Sequence, residues 1–534
     1  MNFVVILSDQ HHAGVAGHAG DPRVRTPSLD RLAAEGTTFD AAYCASPLCV
    51  PSRSALLSGL HTSKNGCFSN GASLRSDRAT FVHSLSNAGY ETVLCGRMHF
   101  NGPDQRHGFR KRLVGDITPT ILGGTGSNYG MLRGTAGQSI RSLRLSGPGN
   151  SNVIEYDKAV ADAACEYIAA DHESPFFLLV GLYGPHCPYV CPSPLYEYYF
   201  DRVDPPDVPE GFQRSVHPAV RHWYRSRRVD EATSEDIRRC RAAYYGLVEL
   251  LDGHVGTILE TLESAGHRQD TAVIYLSDHG DMIGENGLFW KSNLYEGSVR
   301  VPLTVRLPGV PMSGGEHSQD AGAPSLGSQA RDRRIATAVR GARVAAPVSL
   351  LDIAPTVISL AGAQPLPEHD GIDVSPVLGV AGADAGGPAT QDGQHSRGDQ
   401  PGGSDREIIS ICTEVRGGTT SAMIRKGLHK LIAYHGYSDP QLFNLQSDPC
   451  EQHDLAGEPA LSDTRRELES ALASAVELGA VAEEFALLRR HTAILSTFGG
   501  EHEADMEKYK ENWRPQGDPN RLENTNGGGT SGTE

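Results

Sequence analysis

Phe3-Val4-Val5-Ile6-Leu7-Ser8-Asp9-Gln10 decides the fold, because a distant run, Ala272-Val273-Ile274-Tyr275-Leu276-Ser277-Asp278-His279, repeats its plan. Each is an unbroken apolar segment that ends in Ser-Asp and one more polar side chain. Continuous β-branched runs of this length read as strands buried on both faces of a parallel sheet. Ligands of such sheets collect beyond the carboxyl ends of the strands, which is where Asp9 and Asp278 fall. A third run, Pro175-Phe176-Phe177-Leu178-Leu179-Val180, leads into Gly184-Pro185-His186. Helical stretches, among them 28–35 and 236–265, lie between these runs. The alternation predicts an α/β fold in which helices sandwich a large mixed, mainly parallel central sheet.

Past Pro347 the pattern changes. Residues 348–356 read as the last helix on this sheet. Segments 407–411, 420–425 and 430–434 read as short antiparallel strands, and 461–478 as a helix, so a smaller C-terminal α+β subdomain is expected. The polar, glycine-rich stretches 314–333 and 381–404 read as surface insertions, and 517–534 as a disordered tail. The expected division is a main domain over 1–380, a flexible insertion over 381–404 and a C-terminal subdomain over 405–516.

The chain has 534 residues, with 48 Lys and Arg against 65 Asp and Glu, a net charge of -17. Such a length buries a sizeable core. The acidic balance argues against a nucleic-acid partner or an anionic membrane surface. No stretch approaches membrane-spanning length, and the opening apolar run lacks the basic start and length of a signal peptide. Ten cysteines scatter without a C-x-x-C repeat, which suits free thiols and a cytoplasmic location.

Leu48-Cys49-Val50-Pro51-Ser52-Arg53 carries the chemistry. Pro51 through Gly59 reads as a helix that proline opens and glycine closes. Cys49 is therefore expected at a helix N-terminus, where unpaired N–H groups and the macrodipole favour an anion. Arg53 shares the face of Cys49, and together they suit a tetrahedral oxyanion. Asp9, Gln10, Asp278 and His279 add oxygen and imidazole donors at two strand ends. Hard oxygens suit calcium, magnesium or manganese, and the imidazole favours manganese. Either aspartate alone reads as a turn or helix cap. Both pairs beside Cys49 and Arg53 read as a metal site.

Cys49-Val50-Pro51-Ser52-Arg53, extended to Ser58-Gly59, resembles the signature of the type I, formylglycine-dependent sulfatases of the alkaline phosphatase superfamily. The resemblance implies that a formylglycine-generating enzyme oxidises Cys49 and that the resulting hydrate attacks the sulfur of a small sulfate ester. It implies Arg53 as stabiliser and one divalent ion, calcium or manganese, on Asp9, Gln10, Asp278, His279 and residue 49. Gly96-Arg97-Met98-His99 resembles the family's Gly-Lys-x-His, with Arg97 in place of the usual lysine. Gly184-Pro185-His186-Cys187-Pro188 resembles its Pro-His-x-Pro, and Trp290-Lys291 the lysine that follows the Asp-His-Gly run. By the same resemblance Arg97, His99, His186 and Lys291 hold the sulfate, and His99 or His186 protonates the leaving oxygen. His11, His12 and His18 receive no role beyond contact with the metal ligands.

The likeness extends over most of 1–360 and is closest to the choline-sulfatase branch. It includes Gly102-Pro103-Asp104-Gln105, Asp116-Ile117, Ser277-Asp278-His279-Gly280-Asp281-Met282 and Arg300-Val301-Pro302. Yet Thr120-Ile121-Leu122-Gly123-Gly124 holds no tryptophan for a quaternary-ammonium cage, and Trp513 stands in a different context. The sulfated alcohol is therefore unassigned. Two other readings use the same residues: a phosphonate monoester or phosphodiester hydrolase, and a non-catalytic relative that binds metal or anion. Assembly as a homo-oligomer is left open.

Overall fold

Every residue of the first strand is buried, and its two neighbours explain why. The structure, a computed structural model, describes residues 1–118, 137–309, 340–380, 403, 405–413 and 419–501. In it an eight-stranded sheet is built from β1 (Asn2–Asp9), β2 (Thr37–Phe39), β3 (Glu91–Gly96), β4 (Lys111–Arg112), β5 (Phe176–Pro185), β6 (Thr271–Ser277), β7 (Leu303–Arg306) and β8 (Ala342–Val344). The spatial order is β8-β2-β7-β6-β1-β5-β3-β4. β1 lies at the centre, parallel to β5 and β6. β7 runs antiparallel to both β6 and β2, which makes the sheet mixed but mainly parallel.

Helices α1 (Pro27–Glu35), α2 (Cys49–Ser58), α3 (Phe81–Asn87), α4 (Asn152–Ala169), α5 (Ser234–Ser264) and α6 (Ile353–Ala361) cover the sheet. Side chains alternate across a strand, so β1 feeds two cores. Val4 and Ile6 pack with Leu29 of α1, Val160 of α4 and Val255 of α5. Phe3, Val5 and Leu7 pack in the core that holds Leu56 of α2, Phe81 of α3 and Val357 of α6. Both faces are dry, which is why the run needed no polar alternation.

The segment 348–356, expected to be one helix, divides. Val348–Ser349 pairs as a strand with Ala42–Tyr43, and α6 starts only at Ile353. The cause is a capping box: Ser349 Oγ accepts from Leu351 N–H, and Asp352 accepts from Ser349 N–H. Beyond it, β9 (Ile408–Cys412), β10 (Ser421–Lys426), β11 (His429–Tyr434) and β12 (Gln441–Asn444) form an antiparallel sheet backed by α7 (Ser462–Ala475). β12 and a second helix, α8 (Leu478–Glu501), were not expected from the sequence. Residues 119–124, 314–333, the tail 517–534, Trp513 and all of 381–404 except residue 403 lie outside the described residues. The ten cysteines all lie among the described residues, and no disulfide joins any of them. Among the described residues no helix is long and apolar enough to cross a membrane.

Candidate functional site

The carboxyl ends of β1 and β6 lie side by side, and their last carboxylates face one arginine. Arg53 Nε donates to Asp278 Oδ2 at 2.8 Å, and its Nη2 donates to Asp9 Oδ2 at 3.1 Å. Its third donor goes to the backbone carbonyl of Arg97 at 2.7 Å. All three side chains are buried, and the guanidinium fork suits two carboxylates at once.

Helix α2 opens at Cys49, two residues earlier than its proline suggests, because Pro51 tolerates any place in the first turn. The helix closes at Gly59, whose φ of 69° is left-handed, as expected for a glycine cap. Cys49 is thus the first helical residue and points into the acidic pair. Its Sγ lies 3.8 Å from Asp9 Oδ1 and 3.5 Å from His279 Nε2, and accepts from the Lys291 ammonium at 3.1 Å. His186 and His99 also act on this sulfur. Burial alone would raise the thiol's pKa. Lys291 and the three imidazoles override burial and hold it well below the ordinary thiol value. The thiol sulfur stands where the aldehyde oxygen of formylglycine would be.

Arg97 closes another side. Its Nε donates to Asp9 Oδ2 at 2.6 Å, and its Nη2 lies 3.0 Å from His99 Nδ1. The backbone comes this close because position 181 on β5 is glycine, where a Cβ would meet the Arg97 carbonyl oxygen at 1.9 Å. Burial would raise the Asp9 carboxyl, yet Arg97, His186 and Lys291 leave it below the usual range. The structure therefore brings Cys49, Arg53, Arg97, His99, His186 and Lys291 together around Asp9 and Asp278.

Asp9, Cys49, Asp278 and His279 each offer one ligand atom, and these four atoms lie within 4.8 Å of one another. Gln10, next in the chain, is held at a φ of 70°. Its Oε1 is buried without a hydrogen-bond partner among the described residues. Two carboxylate groups, an imidazole and an orphaned amide oxygen fit a divalent cation.

Two groups in this centre received no role from the sequence. Asp116 accepts from the backbone N–H of Met98 at 3.0 Å and of His99 at 2.6 Å, and so fixes the His99 turn. Asp281 accepts from Gln10 Nε2 at 2.7 Å and from the Tyr189 hydroxyl at 2.5 Å. Both belong to runs quoted for the resemblance. Nothing but their closeness to other site residues could have singled them out. His11 turns away, with its ring nitrogens near the Tyr275 hydroxyl and the Val15 carbonyl.

The family model described as Sulfatase matches residues 1–363. A choline-sulfatase of Rhizobium meliloti is 30% identical over 86% of this chain and 83% of its own length. Arylsulfatase K of Danio rerio is 26% identical over 90% of this chain and 85% of its own. The crystal structure of the phosphonate monoester hydrolase of Agrobacterium radiobacter shares the fold. Its TM-score is 0.65 at 21% identity, covering 92% of this chain and 96% of that one.

Proposed function

The chain belongs to the sulfatase family and is a sulfuric ester hydrolase, and from that premise we propose a small organic sulfate ester as substrate and matured Cys49 as nucleophile. The convergence of Asp9, Arg53, Asp278, His279 and Lys291 on residue 49 carries this reading.

Asp9, Gln10, Asp278, His279 and residue 49 would hold one divalent ion, calcium or manganese. When bound it neutralises sulfate oxygens and lowers the pKa of a nearby hydroxyl. Arg53 bridges both carboxylates and holds them aimed at the centre. One hydroxyl of the hydrated aldehyde of residue 49 forms the new O–S bond and gives its proton to whichever of His99 and His186 is not the acid, while Arg97, Lys291 and both histidines hold the sulfate oxygens. The S–O bond to the alcohol breaks, and His99 or His186 gives its proton to the leaving oxygen. Loss of a proton from the second hydroxyl of residue 49 then expels sulfate and restores the aldehyde.

Cys49→Ala removes the nucleophile without crowding α2. Hydrolysis of p-nitrophenyl sulfate should disappear, with the melting temperature close to that of the parent. Mass spectrometry of the Cys49 peptide should show the aldehyde in active protein. An active Cys49→Ala enzyme would sink the scheme. The acid is identified by leaving group: removing it costs about 100-fold or more on an alkyl sulfate and little on p-nitrophenyl sulfate.

The likeness to a phosphonate monoester hydrolase favours a second reading on the same residues, since any tetrahedral anion meets the same charges. Phenyl phosphonate turnover far above p-nitrophenyl sulfate turnover would favour it. The relative named choline-sulfatase makes choline sulfate the first ester to assay, although 120–124 offers no tryptophan for its ammonium. A panel of sulfated sugars, steroids and choline-like esters assigns the alcohol.

A further inference from the structure

We propose that Asp281 is a positioning residue that orients the Gln10 amide for metal binding and anchors the turn bearing Lys291. The inference rests on the metal reading above and deepens it. Asp281 is fully buried, and four donors converge on it. Oδ2 accepts from Gln10 Nε2 at 2.7 Å and the Tyr189 hydroxyl at 2.5 Å. Oδ1 accepts from the backbone N–H of Ile283 at 3.2 Å and of Trp290 at 2.8 Å. A carboxylate only accepts, so it satisfies all four at once.

For Gln10 this fixes which edge of the amide faces which way. Its N–H donates to Asp278 Oδ1 at 3.1 Å, its carbonyl accepts from the Tyr244 hydroxyl at 2.8 Å, and its Nε2 is held by Asp281. Oε1 is the one polar atom of Gln10 without a partner among the described residues. Leaving a buried acceptor unpaired is costly, and a bound cation would remove that cost. At the other end, the carboxylate grips Trp290 just before Lys291. Trp290 and Ser292, at φ values of 59° and 67°, bracket that lysine in left-handed geometry that non-glycine residues rarely adopt. One carboxylate thus sets both the metal side and the cationic side of the centre.

Asp281→Asn tests this because backbone N–H groups cannot reverse. The new carbonyl must stay with Ile283 and Trp290, and the new NH2 then faces Gln10 and Tyr189. Tyr189 can rotate its hydroxyl, but Gln10 must turn its amide over and present NH2 to the ion. Titration of Mn2+ and Ca2+ into chelator-stripped enzyme should show affinity about 10- to 100-fold lower. Adding Gln10→Glu should restore it, because a carboxylate has oxygen at both edges. Gln10→Glu alone opposes two carboxylates and should weaken binding.

That reversal of sign separates positioning from a merely structural role, for which the losses would add. If Asp281→Asn alone does not fold, the double variant should fold and bind. Parental affinity in Asp281→Asn, additive losses, or a double variant that neither folds nor binds would each overturn the inference. A parent that binds neither ion fails before any variant is compared, and removes the metal reading and the inference together.

Discussion

Arg97 does more than supply the positive charge of the lysine it replaces in the family pattern. Its guanidinium spans Asp9 Oδ2, Thr118 Oγ1 and His99 Nδ1 at 2.6, 3.2 and 3.0 Å. A lysine has its three donors on a single nitrogen and lacks the span of the guanidinium fork. Arg97→Lys should therefore keep the fold and the charge but lower kcat/KM about tenfold, through a freer His99. Unchanged kinetics in that variant would show that charge alone matters. At this scale the sequence was informative where chemistry demands an unusual residue: Cys49 before Pro and Arg, or aspartates ending apolar strands. Asp281, Tyr189 and Asp116 carry no such mark. Their value comes from distant partners, 17 residues away for Asp116 and His99 and 271 for Asp281 and Gln10, which no local pattern encodes.

Elements show the same division. β1, β5 and β6 were legible because burial on both faces forces unbroken apolar runs, and α5 as a long helical stretch, although the capping box of Thr233 and Asp236 starts it at Ser234 rather than 236. The two-residue β4 and the four-residue β12 are too short to show a period, and α8 has an apolar pattern blurred by small residues. What joins β11 to the site was equally hidden. Lys430 is fully buried, with Nζ 3.0 Å from Glu296 Oε1 and 2.7 Å from Glu451 Oε1. Glu451 also accepts from the Glu296 backbone N–H at 2.6 Å, five residues past Lys291. Lys430→Met keeps the length but leaves the buried Glu451 without its cation, while Glu296 keeps Tyr43 and Arg300, and should cost about 3–5 kcal/mol. Adding Glu451→Gln should recover part of that loss in urea unfolding. An unchanged midpoint for Lys430→Met would show that the two sheets are held by apolar packing alone.

Across the whole molecule, burial sets the response to pH more than net charge does. Burial holds His18, His61, His83 and His107 below the ordinary imidazole value, and His11 at about 4. Such groups are neutral when folded, while the unfolded chain takes up protons near 6.5. Below that pH the unfolded state binds more protons, so each contribution is complete above about 6.5 and is lost as pH falls. Asp157 and Glu451, both raised by burial to about 7, act in the opposite sense over much of this range. The net slope mixes the two, so one histidine must be isolated. His107 suits this purpose: it is 1% exposed, its ring nitrogens make no hydrogen bond among the described residues, and its ring meets Phe100 edge-on at 4.6 Å. Asp104 Oδ2 is 3.3 Å from Nδ1 and opposes the shift, but burial outweighs it. His107→Phe keeps an aromatic ring and removes the titration. In urea unfolding the variant should lie near the parent at pH 7.5 and gain on it steadily down to pH 5.5. A stability difference that stays flat across that range would mean His107 titrates alike in the folded and unfolded chain.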